Sequence, residues 1–204
     1  GKIGTDFATN QTIAASTTAS NWTATGQSTG NSITPTPSSA VTGNTMTVKA
    51  AVVTITNSAS PAAQTVVAGA QNYTFANIQF DASASGEDVK FTTLKASFTN
   101  GGTATFITNC ALYDGSSQLT TGSNLVNPTA TGDSTFTFDS GSFIVAKGAV
   151  KSLALKCNIA GSSVAATTYI WGIPAASSQS SATGMTSGQS ATITEVAAAG
   201  QTMT

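Results

Sequence analysis

The chain has 204 residues, of which only 7 are basic and 8 acidic, and it contains no His. All of the basic residues are Lys, so a net charge of −1 and the lack of Arg leave neither a field nor a guanidinium fork for a polyanion, which argues against a nucleic-acid partner. Without His or Arg the common proton-transfer and phosphate-clamping side chains are missing, and no enzymatic activity is expected.

Charged residues make up 7% of the chain, against about 25% in ordinary globular proteins. Ser and Thr supply nearly a third, so the surface must be hydrated by hydroxyls and amides rather than by ions. Disorder is disfavoured, because disordered chains are poor in apolar residues and rich in charge, whereas 40% of this chain is apolar. No apolar run reaches the length of a membrane-spanning helix. The chain opens at Gly1 without a Met or a signal peptide, the expectation for a trimmed, exported product.

Residues 1–47 are polar and weakly patterned, with Pro35 and Pro37 near their end, and read as an extended N-terminal segment. The texture changes at Met46. A β-branched run through Val52, Val53 and Ile55 ends before Pro61, and Tyr73 to Phe80 follows, with Ile78 and Phe80 alternating against Asn77 and Gln79. In the next run Val89 and Phe91 share one phase, and Leu94, Ala96 and Phe98 the other, which predicts a β-bulge or burial of both faces. After the Asn100-Gly101-Gly102 turn, a strand through Tyr113 leads into Asp114-Gly115, a dipeptide suited to a type I′ hairpin, with a return strand at Gln118 and Leu119. Phe136 and Phe138, Phe143 to Val145, the strictly alternating Leu153, Leu155, Cys157 and Ile159, and Tyr169 to Trp171 complete the set. No segment carries a 3.6-residue period, so the class is all-β, and strands at this spacing mark a sandwich. The expected core is Val53, Ile55, Phe75, Ile78, Phe80, Phe91, Leu94, Leu112, Phe136, Leu153, Leu155 and Ile170.

The two cysteines, Cys110 and Cys157, each sit in a strand-like run. They are either one inter-strand disulfide or two buried thiols of a reducing compartment. The composition argues for export and hence for the disulfide, worth about 4 kcal/mol in the chain-entropy model.

A long-range repeat stands out. Residues 24–47 read ATGQSTGNSITPTPSSAVTGNTMT and residues 182–204 read ATGMTSGQSATITEVAAAGQTMT. Met occurs only three times, and two of the three, Met46 and Met203, fall at matched places. The layout is therefore tail, body, tail, as in a tandem array cut within a unit or a subunit that chains to its own copies.

Candidate chemistry is sparse. Asp81, Glu87 and Asp88 could supply oxygen ligands to Ca²⁺, but Glu87 and Asp88 read better as solvated turn residues. Asp133 and Asp139 flank the Phe136–Phe138 strand and invite comparison with a glycosidase pair, yet two acids at strand ends are more often loop residues. Asn10, Asn21 and Asn72 head Asn-x-Thr sequons and are candidate glycosylation sites. Trp22 and Trp171 are candidate sugar platforms, with Trp171 placed in the core by its neighbours Ile170 and Ile173. No cofactor, metal or catalytic residue is expected.

Pro61 to Gly69, Tyr73 to Phe80, Asp88 to Leu94, the Cys110-Ala-Leu-Tyr-Asp-Gly115 turn, Phe136 to Ile144 and Ser152 to Ile159 together resemble the Ig-like repeats of large bacterial surface proteins, including surface-layer-like proteins of ultra-small bacteria. The resemblance covers about residues 48–175 and carries no catalytic motif. It implies an immunoglobulin-like β-sandwich in tandem units with structural or adhesive roles. The expected organisation is an extended β segment over 1–47, a donor strand or the tail of a preceding repeat, and a sandwich body over 48–204. The expected function is a structural subunit of an extracellular filament or surface layer, its partners copies of itself and candidate glycans. Residues 1–47 would reach into the preceding subunit, and a sheet position near the C-terminal end would stand vacant. The alternative is an adhesin or glycan-binding module of a larger surface protein.

Overall fold

The computed structural model describes residues 4, 10–140, 143–175 and 180–204. The first residues of the expected donor segment, 1–3 and 5–9, lie outside them. The chain forms two compact units, residues 1–49 and 50–204. Among the described residues there is no α-helix, and no helix is long and apolar enough to cross a membrane.

In the first unit, β1 (Thr12–Ile13) pairs antiparallel with β4 (Met46–Thr47), and β2 (Ser16–Thr17) with β3 (Val41–Thr42). The Gly43 N–H donates to the Ala15 carbonyl at 2.8 Å and the Val48 N–H to Gln11 at 2.8 Å, carrying the ladder between and beyond these short pairs. None of the unit's described residues is buried. Ile33, Val41 and Met46 are 51%, 44% and 63% exposed. This unit has backbone order without a core.

The second unit is built on β5 (Val52–Asn57), β6 (Tyr73–Asp81), β7 (Val89–Asn100), β8 (Ile107–Asp114), β9 (Ser117–Gln118), β10 (Gly132–Thr137), β11 (Ile144–Val145), β12 (Val150–Ile159), β13 (Tyr169–Gly172), β14 (Ser181–Gly184) and β15 (Thr192–Glu195). One sheet runs β15-β5-β6-β12-β8-β9. Its pairs are antiparallel except the edge pair β15–β5, where the Thr192 N–H donates to Ala51 and the Val196 N–H to Ile55, both at 2.9 Å. The other sheet is organised around β7. Thr93 pairs with both Thr137 and Ser181, and Val89 with both Val145 and Gly184, so β10 and β11 line one edge of β7 while β13 and β14 line the other. Two sheets enclosing one apolar cluster are compatible with a β-sandwich.

The core follows the alternation of the strands. Phe80, from β6, meets Phe91, from β7, edge to face at 5.0 Å and Phe143 at 4.8 Å, while Phe98 and Phe136 pack on Trp171 at 4.8 and 5.6 Å. Every expected core residue is buried except Ile170. In β13 it is Tyr169 and Trp171 that point inward, with Ile173 buried just beyond. A four-residue strand offers two parities, and the aromatic one, which reaches Phe98 and Phe136, prevails.

The phase change in β7 is a bulge. Ser181 pairs with Thr93 but Ala182 with Phe91, so Thr92 is the extra residue that resets the alternation. The hairpin after β8 forms around a different dipeptide from the one expected. Asp114 pairs with Ser117, so Gly115 and Ser116 are central, and only Gly115 has positive φ (61°), the pattern of a type II′ turn rather than type I′. Cys110 and Cys157 form a disulfide between neighbouring strands β8 and β12 of one sheet, with Cα atoms 4.0 Å apart. Asn109, at φ 50°, takes up the register shift beside it and keeps both sulfurs on the buried face.

Phe80→Ala is expected to cost about 3–5 kcal/mol, because it opens a cavity where the two sheets meet, whereas Ile170→Ala should cost about 1 kcal/mol or less. Urea unfolding of the two variants distinguishes them. Reduction of Cys110–Cys157, which are 47 residues apart, should lower stability by about 4 kcal/mol, and alkylation without reduction should label neither thiol.

Candidate assembly interface

The sequence repeat is also a repeat of structure. In the N-terminal copy Thr25 bridges Ser32, the Gly26 N–H donates to the Asn31 carbonyl (2.8 Å), Gly30 to Gly26 (2.7 Å) and Ile33 to Ala24 (2.9 Å). In the C-terminal copy Thr183 bridges Ser190, and the same bonds run from Gly184 to Gln189 (2.8 Å), Gly188 to Gly184 (2.9 Å) and Ala191 to Ala182 (2.9 Å). Gly30 and Gly188 both hold the turn's left-handed residue, at φ 69° and 70°. The flanking pairs match as well. Ile13 faces Met46 as Tyr169 faces Met203, and Thr17 faces Val41 as Ile173 faces Ala198. Even the left-handed residue ahead of each copy recurs, Asn10 at φ 72° and Ala166 at 67°. Residues 10–33 and 41–47 of the first unit thus follow the pairing pattern of residues 166–175, 180–191 and 198–204.

The setting differs, and residues 34–37 form no strand where the C-terminal copy runs as β15. In the second unit this segment closes the open edge of β7, through β13 and β14, and then lays down a last strand. Tyr169 and Met203 exchange both backbone bonds (2.8 and 3.0 Å), and the Gln64 N–H donates to Thr202, Thr204 to Gln64 and Val66 to Thr204. Residues 202–204 are therefore flanked on both sides, and the sheet position expected to be vacant near the C-terminal end is filled. The backbones approach closely, since a Cβ on Gly200 would run into the Trp171 carbonyl and one on Gly172 into the Ala198 carbonyl. Met203 is fully buried, whereas Met46, at the matched place, is 63% exposed.

Glu87 fastens the C-terminal copy. Its carboxylate accepts the backbone N–H of Thr186 (2.6 Å) and Ser187 (2.8 Å) and the Ser187 hydroxyl (2.6 Å), and it lies against Gly184, where a Cβ would collide with it. Burial alone would push the Glu87 carboxyl up, but the donors from Ser187 and Thr186 outweigh it and hold the group below the usual carboxylate range. Glu87 is thus a buried clasp and not the solvated turn residue the sequence suggested. The N-terminal hairpin keeps the same turn, with the Asn31 N–H donating to the Thr29 hydroxyl as Gln189 does to Ser187.

The other candidate groups serve local roles. Asp81 accepts the Ser83 N–H and Asp88 the Lys147 N–H, so the three carboxylates of the calcium reading turn to separate backbones, and among the described residues they form no metal-holding group. Asp139 accepts from the Asn124 and Thr121 side chains and the Thr121 N–H, which lower its pKa. Asp133 lies within β10, opposite Ser97, and Asp139 beyond the strand's far end, a span of about 20 Å along an extended chain that exceeds the spacing of a glycosidase pair. Asn10, Asn21 and Asn72 are all exposed, although the Asn72 side chain accepts from the Tyr113 hydroxyl. Trp22 is 39% exposed, donating to the Thr17 hydroxyl above a shallow cleft with Ile33 and Pro35, while Trp171 is core.

No family model matches the chain, and no similarity to a curated protein or to a solved structure was found.

Because the Glu87 pKa is depressed in the folded chain, its contribution to stability is full above the ordinary Glu value and is lost as pH falls through the depressed one. Glu87→Gln should therefore cost about 1–3 kcal/mol at neutral pH, with the difference from the parent shrinking below about pH 4. Chemical denaturation across that range checks both the size and the sign.

Proposed function

We propose that the chain is a structural subunit of an extracellular filament or surface layer, built from immunoglobulin-like sandwich units joined head to tail by insertion of a terminal β segment into a neighbouring sheet. The supporting observation is the duplicated closing segment, seated on a body in one copy and bare in the other. A two-stranded ladder without an apolar face on a core is marginal in water, so the bare copy makes physical sense as a piece that is completed by a neighbour. Several further features support the reading. The disulfide suits an oxidising compartment. A hydroxyl-rich, charge-poor strand enters a β groove without desolvating ions. Addition of a strand satisfies edge hydrogen bonds, and a contact of this heterologous kind propagates rather than closing.

The second reading, an adhesin or glycan-binding module, draws on exposed Trp22 and its cleft. Electron microscopy of source cells labelled with antibody against the sandwich separates the two. Label ordered along filaments or a surface lattice is the expected result. Scattered surface label, together with binding on a glycan array that Trp22→Ala abolishes, would replace the first reading with the second.

A further inference from the structure

The N-terminal unit presents a seat's counterpart without the seat. We infer that its uncovered face docks on a second copy of the sandwich body, in the place and register that residues 166–175 and 180–204 occupy on their own body, and that this second body is carried on the N-terminal side of the unit in a tandem array. The inference rests on the head-to-tail joining of sandwich units proposed above, specifies which surfaces meet, and places the joined units within one chain rather than in separate copies.

Three observations lead there. First, the hairpin bonds and the flanking pairs recur in both copies, so the N-terminal unit already holds the pairing pattern of the segment that closes a β7 edge. Its apolar side chains are smaller at two places, Ile13 for Tyr169 and Ala15 for Trp171, and they are uncovered. Met46, at the place of buried Met203, is exposed, and Ala24, at the place of buried Ala182, is half-exposed. Second, the docking partner must bring a carboxylate. In the C-terminal copy the hairpin turn offers two backbone N–H groups and a hydroxyl to Glu87. The N-terminal turn sets Ser28 and Thr29 at the corresponding positions, with the Thr29 hydroxyl in the same local bond as Ser187, and among the described residues no carboxylate is bonded to it. A body of the same kind brings Glu87 to that spot. Third, a separate, complete chain has no room. Its own closing segment is seated, with residues 202–204 bonded on both sides and Met203 fully buried, so a free copy would have to expel that segment first. A body whose closing segment is the N-terminal unit itself meets no such obstacle.

The three methionines report the outcome directly. In the chain as it stands, peroxide should oxidise Met46 and Met185, both exposed, and spare Met203. In an extended chain in which a second copy of residues 50–165 replaces residues 1–9 ahead of Asn10, Met46 should become protected by about tenfold or more while Met185 stays reactive. Mass mapping of two disulfides per chain verifies that the added body has folded, and Glu87→Gln confined to that body should restore part of the Met46 reactivity. Unchanged oxidation of Met46 beside a folded added body overturns the proposal. Protection of Met46 in the unextended chain that grows with protein concentration also overturns it, in favour of exchange between separate copies. Neither result depends on whether filaments or lattices form, so failure here is distinct from failure of the surface-assembly reading.

Discussion

The central strand β7 carries Val89, Phe91, Leu94, Ala96 and Phe98 into the core, and a strand buried on that face must have its backbone groups paired along both edges. One edge is supplied by β10 and β11, from the middle of the chain. Among the described residues the other is supplied by β13 and β14, residues 169–172 and 181–184. Nearly everything distinctive about the molecule follows from that division of labour. The closing segment contributes Tyr169, Trp171, Ile173, Ala182 and Met203 to the core, so it completes the interior as well as the sheet.

Viewed this way, the coreless first unit is no anomaly. Its sequence encodes the backbone of a closing segment, including the left-handed turn glycine and the paired strands, while the large interior aromatics of the second copy have no counterpart in it. Ile13 stands where Tyr169 stands, and Ala15 where Trp171 does. Backbone geometry is thus conserved between the copies more strictly than the side chains that decide how much apolar area each buries. The hydrogen-bond pattern sets the register, and the side chains set the strength of the closure.

Much of this was legible in the sequence, for reasons that differ from residue to residue. The strict alternation from Leu153 to Ile159 and the phase reset between Phe91 and Leu94 are local signals, and the strand and the bulge at Thr92 obey them. The repeated Gly-x-Thr-Met-Thr was visible because Met is rare here. Ile170 was misplaced because four residues of β13 do not fix which parity faces inward, and only the neighbours Phe98 and Phe136 decide it. The Glu87 clasp was invisible for a different reason. Its partners Thr186 and Ser187 lie about a hundred residues away, brought near by pairing of β14 with β7, and no local pattern announces such a bond. The Gly115–Ser116 turn shows the same limit on a small scale, since the dipeptide favours a hairpin but the register of the flanking strands chooses its centre.

The parallel edge pair of β15 with β5 has one more consequence. Thr192 and Val196 turn their N–H groups toward β5, and in a parallel ladder the residues between them, Ile193 and Glu195, turn theirs outward. At the matching positions the N-terminal copy carries Pro35 and Pro37. Proline lacks a donor, so this stretch of the N-terminal copy, which lies outside any strand, offers an incoming chain no amide at either place. The two copies are therefore unequal toward lateral growth. The C-terminal edge keeps both outward donors, and the matching N-terminal stretch lacks them.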